Sequence, residues 1–339
     1  MVLISLIKID SADVVNYQLI EEMPNIEVVI IPDECLKNTS FGTKETCEGI
    51  YDILVTKYKN VKITYCVSED DLREVVKRMP DLVVLTNKIM LIEGKEIWLS
   101  GYFASHNIKF TGSSEEVLQC DLNKVLSKEK VAAYGVETAR FFTAIPGEYK
   151  SLDDLPIPFP LFIKPIDSAN SHGIDANSFV LSFAGFQSKV KELYETYKSP
   201  ILVEEYLSGR EFTVSIIKSH QQLIIAPIEI IIPLENNLRI LSCKVKGDNS
   251  EILKRISDDE VRKKVSNIAR ISFEALGVQD FGRIDVKMDL HERCCFLEAN
   301  LTPGMTRNSS YFPTSYKICE LLEYDEVISL MVQTASERQ

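Results

Sequence analysis

Short apolar runs alternate with helix-spaced polar stretches over the first third of the chain. Residues 28–32, 61–65 and 81–86 read as buried parallel strands, and 70–79 between them has helical spacing, the pattern of a doubly wound α/β unit. Residues 1–8 read as another strand. Lys8 and Asp10 stop the run, and it has neither the basic start nor the apolar length of a secretory leader. A helix over 96–107 and a strand over 108–112 follow, and Gly112-Ser113-Ser114 then breaks the pattern. The first unit is therefore placed at residues 1–115.

Beyond it strands and helices are grouped rather than alternating, which predicts two α+β lobes, 116–206 and 207–339. Asp121 reads as the cap of a helix ended by Gly135, which sets Lys124 and Lys128, four apart, on one face. Strands are expected over 161–164, 201–206, 211–216, 223–232 and 238–246, and a helix over 186–197. Ser257-Asp258-Asp259-Glu260 has capping-box spacing and opens a helix ended by Gly277. A terminal helix starts from about Ser315.

The polar positions single out one hairpin. Arg283, Asp285 and Lys287 fall on one strand face and Ile284, Val286 and Met288 on the other; Glu298 and Asn300 likewise share a face. With residues 290–293 as the loop, Asp285 stands opposite Glu298 and Arg283 opposite Asn300. Two carboxylates and an amide oxygen make a hard-oxygen site suited to Mg²⁺. A solvated hairpin face with cross-strand charges is the alternative reading of the same residues. The turn that follows contains Gly304, which lets a backbone N–H come close to a ligand.

Charge and composition narrow the partners. The 339 residues carry 38 Lys plus Arg against 50 Asp plus Glu, a net charge of −12 that disfavours nucleic acid. The cysteines have no C-x-x-C pair and the histidines do not cluster, which argues against zinc and fits free thiols in a reducing cytoplasm. The most apolar run, 223–234, is interrupted by Glu229 and is too short to span a membrane.

Three segments in order, Gly282-Arg283-Ile284-Asp285, Leu297-Glu298-Ala299-Asn300 and Pro303-Gly304-Met305-Thr306, resemble the signature of the D-alanine–D-alanine ligases of the ATP-grasp superfamily. Upstream, Asn123-Lys124, Phe162-Ile163-Lys164-Pro165 and the stretch from Val203 to Val214 are similar to that family's nucleotide-binding elements, so the likeness runs over roughly 108–313. The resemblance implies an ATP-grasp fold, with an N-terminal doubly wound α/β domain and two α+β lobes clamping ATP. It implies an ATP-dependent carboxylate–amine ligase that works through an acyl phosphate and releases ADP and phosphate. Lys124 and Lys164 would face the phosphates, with Lys244 as a third lysine and Ser171 in the loop covering them. Glu204 or the backbone at Glu205, next to Tyr206, would take the adenine amino group. The Leu207 backbone would take the ring nitrogen, Glu211 the ribose, and Phe162 and Leu297 would enclose the base. Asp285, Glu298 and Asn300 would hold Mg²⁺, with Mn²⁺ as a substitute. Arg283 and the Gly304 N–H would stabilise the tetrahedral oxyanion, and Ser309 would bind the second substrate's carboxylate. A homodimer paired through the N-terminal lobe is a further expectation of the resemblance.

The first-substrate half departs from the family pattern. Ile9-Asp10-Ser11-Ala12-Asp13 lacks the family's glycine-rich turn with its glutamate, and Thr86-Asn87-Lys88 replaces its histidine–glycine segment. In the covering loop Asn170 stands where the family has the first of two serines. The substrates expected are small-molecule carboxylates and amines, amino acids or small peptides. The alternatives are a divergent D-alanine–D-alanine ligase and, in another class, a nucleotide-binding regulatory protein without turnover.

Overall fold

The computed structural model describes residues 24–36, 41–167, 171–219, 222–234 and 238–338. The strand expected over 1–8, the segment Ile9 to Asp13, and Ser168 to Asn170 lie outside them.

In the N-terminal lobe β1 (Asn25–Ile30), β2 (Asn60–Tyr65), β3 (Leu82–Leu85) and β6 (Lys109–Phe110) form a parallel sheet in the order β2-β1-β3-β6. Helices α1 (Lys44–Val55), α2 (Glu69–Lys77) and α3 (Leu99–Ser105) connect the strands, as the alternation of runs predicts. One expectation fails here. The first turn of the helix foreseen over 96–107 is a strand, β5 (Lys95–Trp98), paired back on β4 (Ile89–Ile92). Glu93 and Gly94, with φ of 49° and 79°, make the tight turn that closes this hairpin. The loop after the first described strand carries Asp33 and Glu34.

Two helices, α4 (Glu115–Leu122) and α5 (Lys124–Ala133), lead into the central lobe. Asn123, not Asp121, caps α5, its side chain accepting from Val125 N and Leu126 N. Asp121, in the last turn of α4, accepts from Leu301 N at 2.6 Å and Thr302 N at 3.2 Å. It also pairs with buried Lys88 of the N-terminal lobe at 2.9 Å. The central lobe is an antiparallel sheet, β7 (Phe141–Ala144), β10 (Ile201–Glu205), β8 (Leu161–Pro165) and β9 (Phe179–Val180), covered by α6 (Phe183–Tyr197). It has its own apolar core around Leu161, Ile163, Phe186, Val190 and Val203.

The C-terminal lobe is an antiparallel sheet in the order β13-β12-β11-β14-β15. Its strands are β11 (Glu211–Ser219), β12 (Gln222–Ile231), β13 (Ile252–Arg255), β14 (Phe281–Met288) and β15 (Cys294–Asn300). The stretch foreseen as a strand over 238–246 is instead a short helix, α7 (Cys243–Gly247), capped by Ser242. Helix α8 (Asp259–Leu276) is capped by Asp258 rather than Ser257, and Gly277 at φ 77° ends it. The single terminal helix expected is two, α9 (Tyr311–Ile318) and α10 (Tyr324–Glu337). Behind the sheet, Phe212, Val214, Ile284, Val286 and Phe296 pack on Val265, Ala269 and Phe273 of α8. Fully burying each such side chain contributes about 1.5–3 kcal/mol.

The hairpin register places Asp285 opposite Glu298 and Arg283 opposite Asn300, as alternation predicts. The turn end runs differently. Met288 faces Cys294 and Val286 faces Phe296, so one residue of β15, Leu297, is left out of the ladder as a β-bulge.

Candidate active site

One face of the C-terminal sheet is polar although the sheet is buried. Strand alternation puts Glu211, Thr213 and Ser215 of β11 beside Lys287, Asp285 and Arg283 of β14, with Glu298 and Asn300 next across on β15. Arg283 grips Asp285 two residues along its own strand: Nε reaches Oδ1 at 3.0 Å and an outer nitrogen reaches Oδ2 at 3.0 Å. The Thr213 hydroxyl donates to Asp285 Oδ1 at 2.6 Å, and Lys287 meets Glu211 at 2.6 Å. Two polar atoms of the stripe, Asn300 Oδ1 and Ser215 Oγ, are buried with no hydrogen-bond partner. Leaving such atoms unpaired costs free energy, on the order of 1–3 kcal/mol each, unless a ligand meets them.

The facing wall comes from β8, β10 and α5. Phe162 and Lys164 share a face of β8, with Ile163 turned into the central core. Glu204 of β10 is buried between two lysines, Lys164 at 2.7 Å and Lys128 at 2.6 Å. The Lys128 contact is an ion pair without a well-aimed hydrogen bond. Each Glu204 oxygen faces a lysine, and Oε1 is left without a hydrogen-bond partner. Burial pulls the Lys128 amine down. At Lys164 burial acts the same way, but Glu204 and Glu298 outweigh it and hold the ammonium above its usual value. Lys124 lies 3.7 Å from Glu298, and burial lowers it against the pull of that carboxylate. Burial alone would raise Glu298; Lys124 first, then Lys164, Lys246 and Arg283, bring it down to about 2.

Between these walls lies a cleft of about 650 Å³, open solvent at its mouth included. Its lining joins Phe162, Lys164 and Ser171 to Glu204, Glu205, Tyr206 and Leu207, and then to Glu211, Asp285, Leu297 and Glu298. The Glu205 side chain is fixed by Arg140 at 2.8 Å and Arg293 at 2.7 Å. Tyr206 leans on Phe179, with ring centroids 4.6 Å apart. Gly209 closes the turn after Leu207; a Cβ there would stand 2.5 Å from the Asp289 carbonyl oxygen, so no side chain fits. Among the described residues no group of three or more His, Cys, Asp or Glu side chains could hold a metal alone. Asp285, Glu298 and the orphaned Asn300 oxygen are hard-oxygen donors that could hold a cation such as Mg²⁺ together with a ligand's own oxygens.

Other foreseen residues lie beyond the cavity lining. Lys124 touches it through Glu298, and Arg283 and Asn300 lie along the polar stripe. Lys244 is exposed, and Lys246, two residues on, borders the cavity instead. Gly304 packs over Ser310: a Cβ there would meet Ser310 Oγ at 2.7 Å. Ser310 Oγ accepts from Thr306 N at 2.9 Å, while Ser309 is exposed. The sequence reading missed Lys128, Thr213, Lys246 and Lys287 as site residues. The signals were present for three of them: the i,i+4 spacing of Lys124 and Lys128, and the strand alternation through Thr213 and Lys287.

Residues 131–333 match the family model described as D-ala D-ala ligase C-terminus. The D-alanine–D-alanine ligase of Aquifex aeolicus is 27% identical over 239 residues, which cover 70% of this chain and 78% of that protein. The enzyme of the same name from Thermotoga petrophila is 27% identical over 273 residues, 79% and 84% of the two chains. In fold, the chain superposes on the D-alanine–D-alanine ligase of Bacillus anthracis complexed with ATP, with a TM-score of 0.68 and 21% identity. That match covers 92% of this chain and 97% of the other. The D-Ala:D-Ser ligase VanG of Enterococcus faecalis gives 0.64 at 17% identity, covering 92% and 99%.

Proposed function

Because this chain belongs to the D-alanine–D-alanine ligase family, and is an ATP-dependent ligase that forms carbon–nitrogen bonds, we propose that it joins amino acids or small peptides. In this reading it activates one carboxylate and couples it to an amine that itself bears a carboxylate. Lys164, Lys124 and Lys246 would face the phosphates as mobile point charges, under the loop at Ser171. Phe162 and Leu297 would enclose the base, and Glu211 would meet the ribose. Glu204, flanked by two lysines, or the backbone at Glu205 would take the adenine amino group, and the Leu207 backbone the ring nitrogen, beside Tyr206.

Asp285, Glu298 and Asn300 would hold Mg²⁺, with Mn²⁺ as substitute, and the ion would supply positive charge against that of the phosphates. Transfer of the γ-phosphoryl group of ATP to the substrate carboxylate breaks the β–γ P–O bond, giving an acyl phosphate and ADP. Attack by the amine then forms a tetrahedral oxyanion, met by Arg283 and the Gly304 N–H, and phosphate leaves. Ser309 would hold the carboxylate of the amine substrate.

The observation that supports this reading most is the Asn300 oxygen, buried and unpartnered on the strand face it shares with Glu298, across from the strand that carries Asp285. The test is phosphate release from ATP and Mg²⁺ across D- and L-amino acids and dipeptides, singly and in pairs, with products identified by mass. Release that requires two substrates and yields a condensed product is the expected result; ATP binding without release under every pairing would overturn it. The names of the relatives favour a second reading, D-alanine as both substrates. In that case D-alanine alone suffices in the same assay.

A further inference from the structure

Tyr311, the first residue of α9, sits where three parts of the C-terminal lobe meet. Its ring packs on the apolar cluster of Ile230, Ile232 and Val245, which ties it to α7. The Arg283 guanidinium carbon lies 5.5 Å from the ring centroid and the Lys246 Nζ lies 5.9 Å from it. The hydroxyl donates to a carboxylate oxygen of Glu251, on the segment just before β13. Burial, followed by the Glu251 hydrogen bond, holds the phenol well above its usual range, so it stays a neutral donor.

The arrangement answers an electrostatic problem. Arg283 and Lys246 are like charges on one side of the cavity, and both count among the cations that depress Glu298. Arg283 already has one carboxylate, Asp285; a further one on it, or one beside Lys246, would spend more of the charge that a phosphate or an oxyanion requires. An aromatic face attracts a cation without neutralising it and leaves edge-on N–H groups open to a ligand. Donation of the phenol hydrogen to Glu251 adds electron density to that face. Asp285 engages two of the Arg283 N–H donors, and a guanidinium has five.

We propose that the ring of Tyr311 is the positioning group for Arg283 and Lys246, a shared uncharged seat that keeps both cations aimed at the reacting phosphate and oxyanion. The proposal rests on the reading of Arg283 as the oxyanion partner, and the experiment separates the two. In the full-length chain, Tyr311→Leu removes the ring and Tyr311→Phe keeps it. Tyr311→Leu should lower kcat roughly tenfold to thirtyfold with a smaller rise in the KM of ATP, while Tyr311→Phe stays within about threefold of the parent. A Leu variant with parental kcat, or a Phe variant as impaired as the Leu variant, would overturn it.

Independently of turnover, the Arg283 Nε–H resonance, assigned through its loss in Arg283→Lys, should shift in Tyr311→Leu and hold in Tyr311→Phe. An Arg283 resonance that does not move in Tyr311→Leu rejects the seat even if no ligase reaction is found. A moving resonance with no phosphate release in the parent rejects the ligase reading and retains the seat.

Discussion

Leu297 and Glu298 are consecutive in the chain, yet both border the same cavity. In a regular strand neighbours point to opposite faces, so this requires the bulge that leaves Leu297 unpaired while Glu298 stays opposite Asp285. An apolar seat and a carboxylate are thereby delivered by adjacent residues. Deleting Leu297 would join Phe296, opposite Val286, directly to Glu298, opposite Asp285, in an unbroken ladder. The deletion should leave the thermal midpoint within a few degrees of the parent and weaken ATP binding on the order of tenfold. Thermal unfolding and nucleotide titration check it, and undiminished ATP affinity would remove Leu297 from the site.

Asp285→Asn and Glu298→Gln should both abolish Mg²⁺-dependent turnover, but they should differ in stability. Asp285 is the two-point partner of buried Arg283, and breaking a buried pair from one side costs about 3–5 kcal/mol. The Glu298 side chain is 29% exposed and its nearest cation is 3.7 Å away, so its loss should shift the midpoint less. Activity and unfolding measured on both variants decide this.

Asp280 provides a pH test. Burial raises its carboxyl from 3.8 to about 6 despite Arg338, which lies 2.9 Å away. A raised acid favours the protonated folded state. Below 3.8 the group has no effect; between 3.8 and 6 stability falls as pH rises, and above 6 the full cost of about 3 kcal/mol is present. Asp280→Asn should therefore flatten the stability profile between pH 4 and 6. Denaturant unfolding at several pH values reads it, and an unchanged slope would count against the buried, protonated form.

Ser309→Ala should raise the KM of the amine substrate more than that of ATP. Ser310→Ala should act differently, by releasing the Thr306 N–H and loosening the turn under Gly304, with about 1 kcal/mol of stability lost. Steady-state kinetics with each substrate varied in turn separate the two. An unchanged amine KM in the first variant would take Ser309 out of the site.

Much of the site was legible because strand alternation fixes which side chains stand together, and the pairs Asp285–Glu298 and Arg283–Asn300 follow from it. The bulge was not legible, since one extra residue leaves the polar pattern on either side intact. Lys244 was singled out through the family resemblance, within a stretch read as a strand over 238–246. In the observed helix α7 residues two apart diverge, and only Lys246 turns to the cavity. Likewise Asp121 and Asn123 are both capping residue types two positions apart, and the sequence does not reveal which one caps. Asp121 was drawn instead to amides 180 and 181 residues further along the chain.

The apolar core that holds Ile26, Val28, Leu82 and Val84 of the N-terminal sheet also holds Phe281, Met305, Phe312 and Met331, whereas the central sheet has a core to itself. At the far end Arg338 stitches the two larger lobes together, bonding Phe110 O, Gly112 O and Asp280 at once. Mechanically the molecule is therefore two bodies rather than three: a heavy base carrying the carboxylates and the Gly304 turn, and a light jaw carrying Phe162 and Lys164. The seam between them runs through the small buried cluster of Ala139, Leu207 and Cys295, which joins the jaw to β15 of the base.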